Sequence, residues 1–204
     1  MENAAEAPEW ERKLSEEVLF KDTERVLEAM TDTTRTQMCL DEVVKDRKGS
    51  FGTVIATEKE MLMEIKEAAF GDDPGSFGAE AHGILAGLRS LHRTRQRWET
   101  KVNKGMNMFC KNAGSLKRVE NGIEGKINRP RKFLMVKAEL EMLTVNVTKE
   151  MKKSAQFHHV KGHQDKGLSK EETEQLNWPT QMNMRCDEMA MEQLETQDVT
   201  GSYY

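Results

Sequence analysis

Between Gln37 and Phe70 three apolar stretches follow one another with only short breaks. They read QMCLDEVV at Gln37–Val44, FGTVIAT at Phe51–Thr57 and MLMEIKEAAF at Met61–Phe70, with turns at Asp46-Arg47-Lys48-Gly49 and Glu58-Lys59-Glu60. Connections this tight let successive strands meet only as antiparallel neighbours, so a meander is predicted. The pattern then changes. GDDPGS at Gly71–Ser76 is a loop, and Ser76 is an N-cap for a helix over Phe77–Arg97. Ala81, Ile84, Leu85, Leu88 and Leu91 form the apolar stripe of that helix. A fourth strand at Lys104–Cys110 leads into a helix from Leu116, and Asn121–Arg131 is a surface loop. Phe133–Lys153 reads as a helix and Gln156–Val160 as a fifth strand, broken at Gly162. A polar loop from His163 leads to a last helix carrying Asp187. A meander followed by strand–helix alternation is an α/β pattern.

The 204 residues suffice for one domain with an extension, and 37% hydrophobic with 32% charged residues is a globular composition. Residues 1–34 are expected to be a helical extension, with Trp10, Leu14, Val18, Leu19, Val26, Leu27 and Met30 at roughly helical spacing. Residues 35–196 form the domain, and 197–204 a disordered tail. No apolar run approaches the roughly 18 residues of a membrane span, and the acidic N-terminus does not resemble a signal peptide. The expectation is an intracellular protein, cytoplasmic or nuclear, with no membrane partner. Cys39, Cys110 and Cys186 are isolated, which argues against a disulfide framework or a zinc knuckle.

The net charge of -4 hides an uneven distribution. From Arg89 to Arg118 nine bases (Arg89, Arg93, Arg95, Arg97, Lys101, Lys104, Lys111, Lys117 and Arg118) face a single acid, Glu99. A basic middle between acidic flanks is the footprint of a phosphate-binding face, and it is equally the pattern of a solvated basic helix. Trp98 within it could pack against a sugar or sit in the core.

Several acids stand where a structural role alone does not explain them. Asp41 and Glu42 interrupt an apolar strand, although acids are poor strand formers. An edge-strand acid facing water is the plain alternative for Asp41. Glu80 lies one turn before Ile84, on or beside the buried face of its helix, where a carboxylate is costly without a cation or donor. The alternative for Glu80 is a helix-start acid favoured by the macrodipole. His163 and Asp187 bracket a loop, a pairing suited to metal-assisted hydrolysis.

Four separated stretches carry a resemblance. They are L-D-E-V-V-K-D-R-K-G-S-F-G from Leu40, G-S-F-G-A-E-A-H-G-I-L-A-G-L from Gly75, C-K-N from Cys110, and V-K-G-H-Q-D from Val160 with the later C-D-E-M-A helix. In this order they resemble ribonuclease H-like domains, and most closely those of retroelement polyproteins, over roughly residues 37–194. The resemblance implies an α/β ribonuclease H-like fold: a mixed five-stranded sheet with helices on both faces. It implies Mg2+- or Mn2+-dependent hydrolysis of the RNA strand of an RNA–DNA hybrid, with Asp41, Glu80 and Asp187 as metal ligands. His163 then assists water positioning or product departure, and Asn183 and the basic segment contact nucleic acid. Other domains of a polyprotein are implied as further partners. Two positions depart from the family pattern. Glu42 stands where the family has Gly, and Lys111 where it has its third metal-binding Asp. An ammonium cannot ligate Mg2+, which takes oxygen ligands. The resemblance therefore supports either a nuclease or a catalytically impaired module that still binds nucleic acid.

Overall fold

A computed structural model describes residues 18–20, 22–32, 35–69, 75–98, 105–124 and 155–199. Strand β1 (Val18–Phe20) and helix α1 (Thr23–Asp32) precede the meander β2 (Arg35–Lys45), β3 (Lys48–Ala56) and β4 (Met61–Ala68). Helix α2 (Gly75–Trp98), β5 (Gly105–Cys110) and α3 (Ala113–Ile123) follow. After them come β6 (Ala155–His159), the short α4 (Lys170–Thr173) and α5 (Trp178–Val199).

All five expected strands are present, in the sheet order β1-β4-β3-β2-β5-β6. The meander pairs antiparallel, whereas β2–β5 and β5–β6 pair parallel, so the sheet is mixed. One strand is additional. Val18–Phe20, assigned to a helical extension by its apolar spacing, pairs antiparallel with Met63–Ile65 at the open edge of β4. Two of its three residues are β-branched or aromatic, and an edge with unpaired backbone groups outweighs a weak helical period. The extension is helical only from Thr23 onward among the described residues. The predicted helix over Phe133–Lys153 lies outside the described residues, as does the end of the tail, while α5 continues to Val199.

The β2–β3 hairpin fixes the register on which everything else depends. Asp46 and Arg47 both adopt positive φ, 50° and 66°, inside the Lys45–Lys48 pair. That is the two-residue turn whose twist matches paired strands. Asp41 consequently stands opposite Gly52, and Glu42 opposite Phe51.

Alternation along the strands then builds two cores. Met38, Leu40, Phe51, Ile55, Met63, Met106 and Met108 face Ile84, Leu85, Leu88 and Leu91 of α2, with Leu116 and Val119 of α3. Cys39, Val54, Ala56 and Phe109 face Met182, Cys186 and Met189 of α5 on the other side. Helices thus cover both faces. Hydrogen bonds repeat the division: Thr53 Oγ1 donates to Gly83 of α2 (3.0 Å) and Ser50 Oγ to Ala190 of α5 (2.6 Å). Helix α5 lies so close to the sheet that a Cβ on Gly52 would collide with the Cys186 carbonyl. Trp178 Nε1 ties the start of α5 to the Thr57 carbonyl at 2.8 Å. Within α2, His82 is 2% exposed, and its Nδ1 lies 2.8 Å from the Gly78 carbonyl. Among the described residues no helix is long and apolar enough to cross a membrane.

Candidate functional site

The parallel register pairs Leu40 with Cys110, so the next residues, Asp41 and Lys111, emerge side by side. Asp41 points to the α5 side and Glu42, its neighbour, to the α2 side, as strand alternation requires. Lys111 Nζ sits 2.6 Å from Asp41 Oδ1, 3.0 Å from the Glu42 carbonyl oxygen and 3.7 Å from Glu42 Oε1. Asp41 Oδ1 also accepts the Glu42 N–H (2.7 Å), and its Oδ2 accepts Asn183 Nδ2–H (3.1 Å). The other oxygen system is closed as well, since Ser76 Oγ, in the first turn of α2, donates to Glu42 Oε1 at 2.7 Å.

Both acids are deeply buried, Asp41 at 2% and Glu42 at 6% exposure. Burial raises the pKa of each, and the hydrogen bonds and positive charge around them offset only part of the rise. For Lys111 burial pulls the pKa down, but the bond to Asp41 and the charges of Asp41, Glu42 and Asp187 reverse this, so it ends above its ordinary value. Lys111 is therefore a firmly charged ammonium at neutral pH.

Glu80 is wholly buried on α2 and bonded elsewhere. The Cys110 thiol donates to its Oε1 and the Ser115 hydroxyl to its Oε2. Burial lifts its pKa to about 7, above what these two donors can hold down. The Cys110 thiol, buried and beside Glu80, has its own pKa raised strongly. Asp187 is on α5, where its Oδ2 lies 4.0 Å from His163 Nδ1, with both side chains partly open to solvent. His163 itself has a positive φ of 55° in the loop after Gly162. A non-glycine residue in that region stores strain of order 1–3 kcal/mol, which is a feature of functional loops.

The expected ligands therefore share one end of the sheet but not one cation. Lys111 fills the space beside Asp41, Glu80 is turned to a thiol and a hydroxyl, and Asp187 faces His163. Among the described residues no three His, Cys, Asp or Glu groups converge to hold a metal. Because an ammonium cannot ligate and its charge opposes a second cation, this donor set does not fit a divalent ion.

The nucleic-acid residues fare unevenly. Asn183, expected at a nucleic-acid contact, is 3% exposed and donates to Asp41, so it positions that carboxylate instead. Arg93, Lys117 and Arg118 are exposed, and Arg89 is half-buried. Arg118 lies over the Phe77 ring at 4.3 Å, and Lys117 pairs with Glu120 at 3.5 Å. Arg93 lies about 24 Å further along α2 from Phe77, so the bases are strung along the helix rather than gathered. Lys101 and Lys104, and the side chains of Arg95, Arg97 and Trp98, lie outside the described residues.

Sequence reasoning overlooked the Cys110–Glu80–Ser115 group and the Ser76–Glu42 bond. The first was detectable: in a strand ending Phe109-Cys110-Lys111, alternation sends Cys110 to the α2 side, where Glu80 was already placed.

No protein-family profile matches the sequence, and no curated protein sequence matches it. Solved structures do. A ribonuclease H1 isolated from compost by a metagenomic approach is similar with a TM-score of 0.56 and 16% identity, covering 80% of this chain and 98% of that one. Its complex with an RNA/DNA hybrid gives 0.55 at 14% identity, over 79% and 98%. The N-terminal ribonuclease H domain of a Mycobacterium tuberculosis protein, solved as a fusion with maltose binding protein, gives 0.56 at 12% identity, over 83% and 100%. The prototype foamy virus protease–reverse transcriptase gives 0.54 at 14% identity, covering 80% of this chain and 21% of that one. With the meander, the two parallel strands and the two-sided helices in place, the chain is a ribonuclease H-like domain in its fold.

Proposed function

We propose that this domain is a nucleic-acid module on the ribonuclease H scaffold that holds an RNA–DNA hybrid without cutting it. The carrying observation is the Lys111 ammonium 2.6 Å from Asp41, at the position where the family pattern has a metal-binding Asp. Two-metal hydrolysis uses paired divalent ions to activate water and stabilise the leaving oxygen. The residues here hold an ammonium in their place. The hybrid is favoured as ligand because one similar structure is a complex with an RNA/DNA hybrid, and because Arg93 of α2 and Lys117 and Arg118 of α3 are exposed bases. The likeness to the foamy virus enzyme, of which the chain spans about a fifth, supports a place beside other domains of a polyprotein.

The test is a labelled RNA–DNA hybrid, followed by fluorescence anisotropy for binding and by gel for cleavage, with Mg2+ and with Mn2+. Wild type, Asp41→Asn and Lys111→Asp are run side by side. The expected wild-type result is retention without cutting, with affinity falling about tenfold or more between roughly 50 and 200 mM salt. Wild-type cleavage that Asp41→Asn abolishes would establish a Mg2+- or Mn2+-dependent nuclease instead. A folded protein that neither binds nor cuts removes the proposal altogether.

A further inference from the structure

The group around Lys111 differs from a damaged metal site in one respect: it is complete. Nζ bonds to the Asp41 carboxylate and the Glu42 carbonyl, and it lies within ion-pair distance of the Glu42 carboxylate. Asn183 and the Glu42 N–H supply the remaining donors to Asp41, and Ser76 holds Glu42 from α2. Neither acid is left as a lone buried charge. Glu80 makes no ion pair among the described residues, because Cys110 and Ser115 occupy its oxygens.

We propose that the Lys111 ammonium is the resident cation of this site, with Glu42 rather than Glu80 as the second carboxylate, and that no divalent ion enters. This deepens the reading above and rests on it only for the location of the site. A tethered ammonium is held beside the carboxylates without capture from solution, and it brings donors where a metal would need acceptors. Glu42, out of place in the family pattern, thereby acquires a role: it is the counter-charge that a lysine requires and a Gly cannot give.

Mn2+ binding, read by electron paramagnetic resonance of the free ion and by the thermal midpoint, tests this without any activity. Wild type is expected to leave the free Mn2+ signal and its midpoint unchanged. Lys111→Asp is expected to gain a site, with the midpoint rising by roughly 5 to 10 °C at about a hundredfold excess over Kd. Adding Glu42→Gln to Lys111→Asp should weaken Mn2+ binding about tenfold or more, whereas adding Glu80→Gln should change it less than about twofold. Stoichiometric Mn2+ binding by wild type overturns the proposal, and so does a Lys111→Asp site that depends on Glu80 and not on Glu42. If Lys111→Asp does not fold, wild-type titration still decides the first claim. The Lys111 Nζ titration by NMR in Glu42→Gln and Glu80→Gln chains decides the second, since only Glu42→Gln should lower it substantially. Whether the protein retains a hybrid affects none of these outcomes.

Discussion

Replacing Lys111 by Met keeps most of the side-chain volume and removes the charge. Asp41 and Glu42 then remain, 2% and 6% exposed, with no cation beside them. Removing one partner of a fully buried pair costs about 3–5 kcal/mol. The Lys111 side chain is 23% exposed, so screening lowers the expected cost to about 2–3 kcal/mol at pH 8. The cost should depend on pH in a definite sense. Both acids already have pKa values raised above their ordinary 3.8 and 4.5, chiefly by burial, and losing Lys111 raises them further. An acid whose folded pKa is raised binds more protons in the fold than in the open chain, so its fold is favoured at low pH and loses stability as pH rises. At pH 5 the variant should therefore lie within about 1 kcal/mol of wild type. Urea unfolding at pH 5 and pH 8 measures both values. Lys111→Met combined with Asp41→Asn should recover more than half of the loss at pH 8, because the neutral amide needs no counter-charge. Equal destabilisation at both pH values, or strictly additive single variants, would refute the reasoning that unpaired buried charge sets the cost.

Glu80, with its pKa near 7 against an ordinary 4.5, contributes a stability that is greatest below pH 4.5 and declines by about 3 kcal/mol as pH passes 7. Glu80→Gln should remove that contribution, raising stability at pH 8 relative to pH 5 as read by urea midpoints; an unchanged pH dependence would exclude Glu80 as its source. Gly52→Ala sets a methyl against the Cys186 carbonyl and should cost about 1–3 kcal/mol, lowering the thermal midpoint by several degrees, while a neutral result would mean that α5 shifts freely. Lys117→Ala with Arg118→Ala should weaken hybrid binding and reduce its salt slope by about 2, without changing base preference. An unaltered slope would place the hybrid elsewhere.

The fold was legible because its signals are local. Tight turns at Asp46 and Glu58 force the meander, and the stripe from Ala81 to Leu91 forces the helix that covers it. Val18–Phe20 was not legible, since three residues next to a helix take their conformation from the free edge of β4, which lies more than forty residues away in sequence. The order of Asp41, Glu80, Lys111 and Asp187 along the chain pointed to a candidate site at one end of the sheet. Their pairing was out of reach, because it depends on which face each strand turns to its neighbour. Lys111 could be foreseen beside Asp41, but Glu42 enters only through a lysine long enough to reach past the strand to its other side. The burial of Asn183 was out of reach for the same reason: a polar residue at a helix that abuts the sheet is open or buried according to how closely the helix sits, and Gly52 lets it sit very close.

Helix α2 buries two titratable groups two positions apart, and their effects on stability run in opposite directions. His82, excluded from water, has its pKa lowered from 6.5 to about 4, so the open chain takes up a proton that the fold refuses, and acidification between those values erodes stability. Glu80, raised to about 7, keeps a proton that the open chain releases, and acidification there favours the fold. Between about pH 4.5 and 6.5 the two slopes overlap with opposite sign. Within this helix each ionisation therefore offsets part of the other's effect on stability in mild acid.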